Sequence, residues 1–234
     1  MTVIDIKGDV VDDDTARLYD YVKVAHVNPA AIHQQLASAN GEDVTLNVAS
    51  NGGDVFSAAE IYSSIKAYSG NVNVVIQGLA ASAASVIAMS GDKISMSPTS
   101  MLMIHRASTA VAGNSDDMAH QSEVMDNVDK SIAAAYEAKT GMSEGDLLNL
   151  MSHETWLTAK DAVDKGFADE IMFVDESKPL VTNSVASIPS KAAVNKLLNL
   201  LNKVPDEEPA PKQPNNENKP TLRDRKLAIL LHKN

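Results

Sequence analysis

Between positions 44 and 105 the chain alternates between runs that suit strands and runs that suit helices, with glycine at the joints. Val44, Leu46 and Val48 alternate with polar residues, the period-2 pattern of a strand. That run stops at Ser50-Asn51-Gly52-Gly53-Asp54, and a helical stretch follows with Val55, Ala58, Ala59, Ile61, Tyr62 and Ile65 on one broad face. Gly70-Asn71 ends it, and Val72, Val74 and Val75 open another strand. This strand runs into Gly78-Leu79-Ala80-Ala81-Ser82, and a further helix reaches to about Ser90. After Gly91-Asp92 come two short apolar runs, Ile94-Ser95-Met96 and Met101-Leu102-Met103-Ile104, split by Pro98 and Thr99; the second closes on His105. Strands that alternate with helices are joined by crossovers, and crossovers join parallel neighbours. The pattern therefore predicts an α/β fold of βαβ units around a largely parallel sheet. In such sheets sites form beyond the carboxyl ends of the strands. The junctions at 51–54 and 78–82, and His105, all fall at such ends.

The flanks are less regular. Val3, Ile4 and Ile6 predict a short strand that turns at Gly8. Asp12, Asp13 and Asp14 precede an apolar-periodic stretch at 15–24. Three acids in a row could bind a metal, but the favoured reading is a solvated turn whose last member, Asp14, caps a helix. A helix entered at Pro29 spans 29–39 and ends near Asn40-Gly41. A long helix is expected over 116–140, stopped by Gly141, with shorter ones at 144–151 and 159–165, the last capped by Thr158. A final strand is expected at 168–174, which places a compact domain at 1–174. An extension, 175–234, would follow. In it, Val194, Leu197, Leu198 and Leu201 suit an amphipathic helix at 190–203. Residues 205–220 hold five of the nine prolines and read as a linker. Residues 221–234 are basic and amphipathic; a frayed tail is favoured over a docking peptide.

Composition narrows the function. A net charge of −11 argues against a broad nucleic-acid-binding surface. With no cysteine there is no disulfide framework and no thiolate chemistry. No secretory leader is apparent, and no apolar run approaches the roughly 18 residues of a membrane span. The expected setting is cytoplasmic.

Ser82 carries the features of a nucleophile. It opens a helix, where free N–H groups favour developing negative charge, and its neighbours Ala80, Ala81, Ala83 and Ala84 are small. Ser82 alone could equally be an N-cap, as could Ser85. A histidine at a strand end is more often structural, but an imidazole can act as general base and then general acid near neutral pH, and His105 is the candidate. Gly52-Gly53 could present a backbone N–H to an oxyanion, or simply form a tight turn.

Taken in order, SNGGDVFSAAEIY, GLAAS and MLMIH resemble the proteolytic subunit of the Clp protease, and the resemblance covers about residues 1 to 174. It implies a ClpP/crotonase-type fold, with 116–140 as a protruding handle helix, and serine endopeptidase activity. By position it implies Ser82 as nucleophile, His105 as base, and the N–H groups of Gly53 and Ala83 as the oxyanion hole. The third triad position is occupied by Glu154, in His153-Glu154-Thr155-Trp156-Leu157, where the family usually has aspartate. No metal or organic cofactor is expected. The partners implied are polypeptide substrates and copies of the chain itself, in a homo-oligomeric ring, heptameric or stacked. The short lead into the first strand and the long extension resemble ClpP-like proteases encoded with phage or prophage capsid genes. That speaks for capsid or scaffold substrates and against a Clp ATPase partner. Two rivals are a catalytically weak or inactive ring serving as an assembly scaffold and a crotonase-like acyl-CoA enzyme; the serine–histidine pair speaks against the latter.

Overall fold

The computed structural model describes residues 2–174. In chain order the elements are β1 (Thr2–Val10), α1 (Asp13–Val22), β2 (His26–Val27), α2 (Pro29–Ala39), β3 (Val44–Gly53), α3 (Val55–Lys66), β4 (Val72–Ala81) and α4 (Ala83–Ala88). They continue with β5 (Lys93–Met96), β6 (Met101–Ile104), α5 (Ser115–Thr140), α6 (Glu144–Ser152), β7 (Thr155–Thr158), α7 (Ala159–Asp164) and β8 (Glu170–Ile171). This is an α/β fold built on a parallel sheet of order β2-β1-β3-β4-β5-β8. The alternation seen in the sequence is the alternation of its two faces. Val44, Leu46 and Val48 of β3, and Val72, Val74 and Ile76 of β4, are buried, while the residues between them are only half-buried. Ala58, Ile61 and Ile65 of α3 and Ala84, Ile87 and Ala88 of α4 join the same core.

One feature of the sheet positions the site. β4 changes neighbour along its length. Its first half pairs with β5, from Asn73↔Lys93 to Ile76↔Met96. Its second half pairs with β6, from Leu79↔Met101 to Ala81↔Met103. β6 therefore ends where β4 ends, and the residues just past each strand, Ser82 and His105, emerge together. β7 then pairs antiparallel with β6, Met101↔Thr158 through Ile104↔Thr155.

Several local expectations are corrected. α1 is capped by Asp12 rather than Asp14: the Asp12 carboxylate accepts from the Thr15 N–H at 2.7 Å. Asp13 serves another helix. Its carboxylate accepts from Asn28 Nδ2 and from the Ala30 N–H at 3.0 Å, capping α2 in place of Asn28. β1 continues through Gly8 to Val10 with a register shift between Lys7 and Asp9, where a terminal turn was expected. The last strand is only Glu170–Ile171, because the chain turns at Met172 and Phe173, the latter with φ 62°. The long helix α5 carries a capping box at Asn114 and Asp117 and ends at Gly141, φ 70°. Among the described residues no helix is long and apolar enough to cross a membrane. The expected helix at 190–203, the linker at 205–220 and the basic tail at 221–234 lie outside the described residues.

Candidate active site

Ser82 makes the whole turn between β4 and α4 by itself. Its backbone sits at φ 53°, ψ −124°, a conformation L-residues rarely adopt. Such strain costs about 1–3 kcal/mol and persists only where the surroundings hold it. Here they do. The Ser82 N–H donates to Met103 O at 2.9 Å, locking the turn to β6. The Ser82 carbonyl accepts from the Ser85 N–H at 2.9 Å and from Ser85 Oγ at 2.6 Å. Ser85 Oγ has thus given its hydrogen to Ser82, so the Tyr136 hydroxyl, 2.8 Å away, is the donor to Ser85. Both Ser85 and Tyr136 are fully buried, and burial pushes the Tyr136 phenol well above its ordinary pKa, so it stays a neutral donor. Ser85, an N-cap candidate by sequence, is instead the link from the Ser82 turn to α5. Tyr136→Phe removes one buried hydrogen bond without opening much space. The expected loss is about 1 kcal/mol of stability, read as a lowered Tm in calorimetry.

His105 follows β6 directly. Its Nε2 lies 2.7 Å from Ser82 Oγ. With the proton on Nδ1, Nε2 accepts from the hydroxyl, the arrangement a general base needs. The loop after it is pinned. The Arg106 N–H donates to Met151 O at 3.2 Å, and the Ala107 N–H to Asp129 Oδ1 at 2.8 Å. Asp129 is 3% exposed, and its other oxygen lies 3.5 Å from Arg106 Nη1.

The glycine junction meets the Ser82 turn. A Cβ on Gly52 would lie 2.6 Å from Ala81 O and 2.9 Å from Ala83 N. Only glycine allows this approach. Gly53 has φ +152°, and its Cβ would fall 2.1 Å from Val10 O. Ala83 is the first residue of α4, where N–H groups lack intrahelical acceptors. Gly53 and Ala83 thus lie on the two segments that converge at the hydroxyl. Val55, Val86, Ala107, Ile132 and Tyr136 surround a narrow pocket beside Ser82 and His105. A wider cleft of about 250 Å³ continues from Gly53 past Phe56 to Val124 and Val128 of α5. A larger, open cleft of about 650 Å³ lies between α2 and α3, lined by His33, Glu60 and Tyr68, and shares no residue with this pocket.

The chain matches the family model described as Clp protease over residues 3–175. It belongs to the Clp protease family. Its relatives include the ATP-dependent Clp protease proteolytic subunit 3 of Rhodococcus jostii, 30% identical over 141 residues, covering 58% of this chain and 69% of the relative. Proteolytic subunit 1 of Frankia casuarinae is 29% identical over 172 residues, covering 70% and 74% of the two chains. Proteolytic subunit 1 of Chlamydia abortus is 30% identical over 138 residues, covering 57% and 71%. The chain is thus a ClpP-like, serine-type peptidase.

Of the residues that the Clp protease resemblance implies, the structure joins Ser82 and His105 by a hydrogen bond and does not add Glu154 to them. The β6–β7 register, extended one step past Ile104↔Thr155, sets the Glu154 backbone opposite His105. The side chain turns elsewhere. Glu154 is exposed, takes φ 48° ahead of β7, and its carboxylate accepts from Trp156 Nε1 at 3.1 Å. Among the described residues no carboxylate hydrogen-bonds Nδ1 of His105. The neighbouring His153 is exposed, with its Nδ1 2.8 Å from Asn149 O. Sequence reasoning did not single out Ser85–Tyr136 or Arg106–Asp129 as supports. The available signal was a polar residue among apolar ones: Asp129 falls between Val128 and Ile132 on the α5 face.

Proposed function

We propose that this chain is an endopeptidase that cleaves polypeptides through an acyl-enzyme on Ser82. The hydrogen bond of 2.7 Å between Ser82 Oγ and His105 Nε2 carries the reading. His105 takes the hydroxyl proton as Oγ attacks the peptide carbonyl, and returns it to the leaving amine. Water then resolves the ester with His105 again as base. The N–H groups of Gly53 and Ala83 stabilise the tetrahedral oxyanion, each contributing about 3 kcal/mol to barrier lowering. The 1–174 segment is read as the peptidase domain and 175–234 as its extension, in keeping with a family match that ends at 175. Copies of the chain assemble into a ring, as the family resemblance suggests, with α5 as the handle between rings. Capsid or scaffold polypeptides of a phage or prophage are the proposed substrates. Their support is the sequence resemblance and the proline-rich and basic stretches at 205–234. Casein, as an unfolded substrate, tests the activity: the purified protein should fragment it, and a casein that stays intact contradicts the reading.

One observation favours a second reading, an inactive ring used as a scaffold: the Glu154 carboxylate is engaged by Trp156, and among the described residues no carboxylate hydrogen-bonds His105. The two readings separate on turnover. In the favoured one Ser82 and His105 act as a dyad, and Glu154→Gln lowers kcat by less than about tenfold. A working triad acid would cost about 10⁴-fold. Measurable kcat of the unaltered protein on a peptide substrate sustains the endopeptidase and its absence favours the scaffold; Glu154→Gln then separates a dyad from a triad.

A further inference from the structure

The pocket beside Ser82 is small. Its free space amounts to about 10 Å³ for the centre of a water-sized sphere, room for about one water molecule. Its position fixes which part of a substrate it would receive. It is bounded by Ser82 and His105 themselves, so the side chain next to the scissile carbonyl on its acyl side would enter it. The deep walls are Ile132 and Tyr136 of α5 and Val86 of α4, exposed by 6%, 0% and 7%. They have little freedom to retreat. The Tyr136 ring packs edge-on against Phe167 with centroids 5.7 Å apart, and its hydroxyl is tied to Ser85. Val86 belongs to the first turn after Ser82, and its N–H reaches the Ser82 carbonyl at 3.3 Å.

We propose that Ile132 and Tyr136 close this pocket so that the peptidase accepts acyl donors with a small residue, alanine, glycine or serine, before the scissile bond. The proposal rests on Ser82 being the nucleophile. A methyl group needs about the room of the one water the pocket holds. An isobutyl group brings three more carbons, and these walls offer no space for them. Even one surplus methylene in an apolar pocket costs roughly tenfold or more in kcat/KM.

Phosphonate labelling of Ser82 in the full chain tests this without requiring turnover. Three probes are compared by intact mass: a plain alkyl fluorophosphonate, and two peptidyl diphenyl phosphonates bearing a methyl or an isobutyl group on the carbon next to phosphorus. In the diphenyl probes Ser82 Oγ bonds phosphorus, a P–O bond breaks, and phenol leaves with the proton. The methyl probe should label at least about tenfold faster than the isobutyl probe. Ile132→Ala should raise the isobutyl rate by about tenfold, and the milder Ile132→Val should move it in the same direction if the alanine variant does not fold. Equal methyl and isobutyl rates, or a fluorophosphonate label with neither phosphonate reacting, overturn the proposal and leave the nucleophile standing. Failure of the plain fluorophosphonate to label Ser82 overturns the nucleophile, and the pocket's role with it.

Discussion

Ser82→Ala is expected to lower kcat on a peptide substrate by about a millionfold, and His105→Ala to reach the same floor, alone or combined with Ser82→Ala. The size follows from how the two groups act. Without the imidazole the hydroxyl keeps its proton and is a weak nucleophile; without the hydroxyl the imidazole has nothing to activate. The second loss therefore adds nothing to the first. The fold should survive both changes. Ser82 holds its unusual backbone through its N–H to Met103 O and its carbonyl to Ser85, and neither bond uses the side chain. His105 is only half-buried at a strand end. Steady-state kcat of the three variants, with circular dichroism to verify folding, measures the effect. Losses that multiply in the double variant contradict a unit of two.

Gly53→Ala is expected to cost both activity and stability. At φ +152° an alanine is strained, and its Cβ would sit 2.1 Å from Val10 O and 2.9 Å from Val10 N. Those are backbone atoms of β1, so no flexible side chain can give way. Either β1 or the end of β3 must move. The Asp54 N–H bond to Val10 O, 2.8 Å, would be strained with it. We expect about 1–3 kcal/mol of lost stability, seen as a lower Tm. Any shift of β3 also displaces the Gly53 N–H from its proposed place beside the oxyanion. That should lower kcat by about 10²–10³-fold at temperatures where the variant is folded. A lower Tm with kcat unchanged would remove Gly53 from the oxyanion hole while keeping it as a turn.

The parts of this fold legible in the sequence are those written in periodic apolar patterns. Val44, Leu46 and Val48 announce β3 because every second residue faces the core, and the glycines after it announce the crossover. The end of β4 at Ser82 and of β6 at His105 could be read the same way. That both lie at the site-forming edge of the sheet could be read from the strand-end rule; that they touch could not, since the physical cause is the change of neighbour along β4. β2 has two residues, too few to show a period, and it exists because Asp9↔His26 and Val10↔Val27 complete the sheet edge. The capping by Asp12 was missed because three adjacent acids have equal propensity. What decides is that Asp13 is drawn to α2. Asp129 looks like any helix-surface acid until the loop after His105 folds over it. Glu154 shows the limit of a motif. The β6–β7 register carries its backbone opposite His105, yet its carboxylate accepts from the indole N–H of Trp156.

The most direct measurement is the rate at which a plain fluorophosphonate labels Ser82 in the unaltered protein and in His105→Ala, with the modified residue mapped by peptide mass spectrometry. A hydroxyl activated through its hydrogen bond to His105 predicts a single label on Ser82, slowed at least about a thousandfold in the variant. Equal labelling in both proteins, or a label elsewhere, would contradict an account in which these two side chains form the catalytic pair.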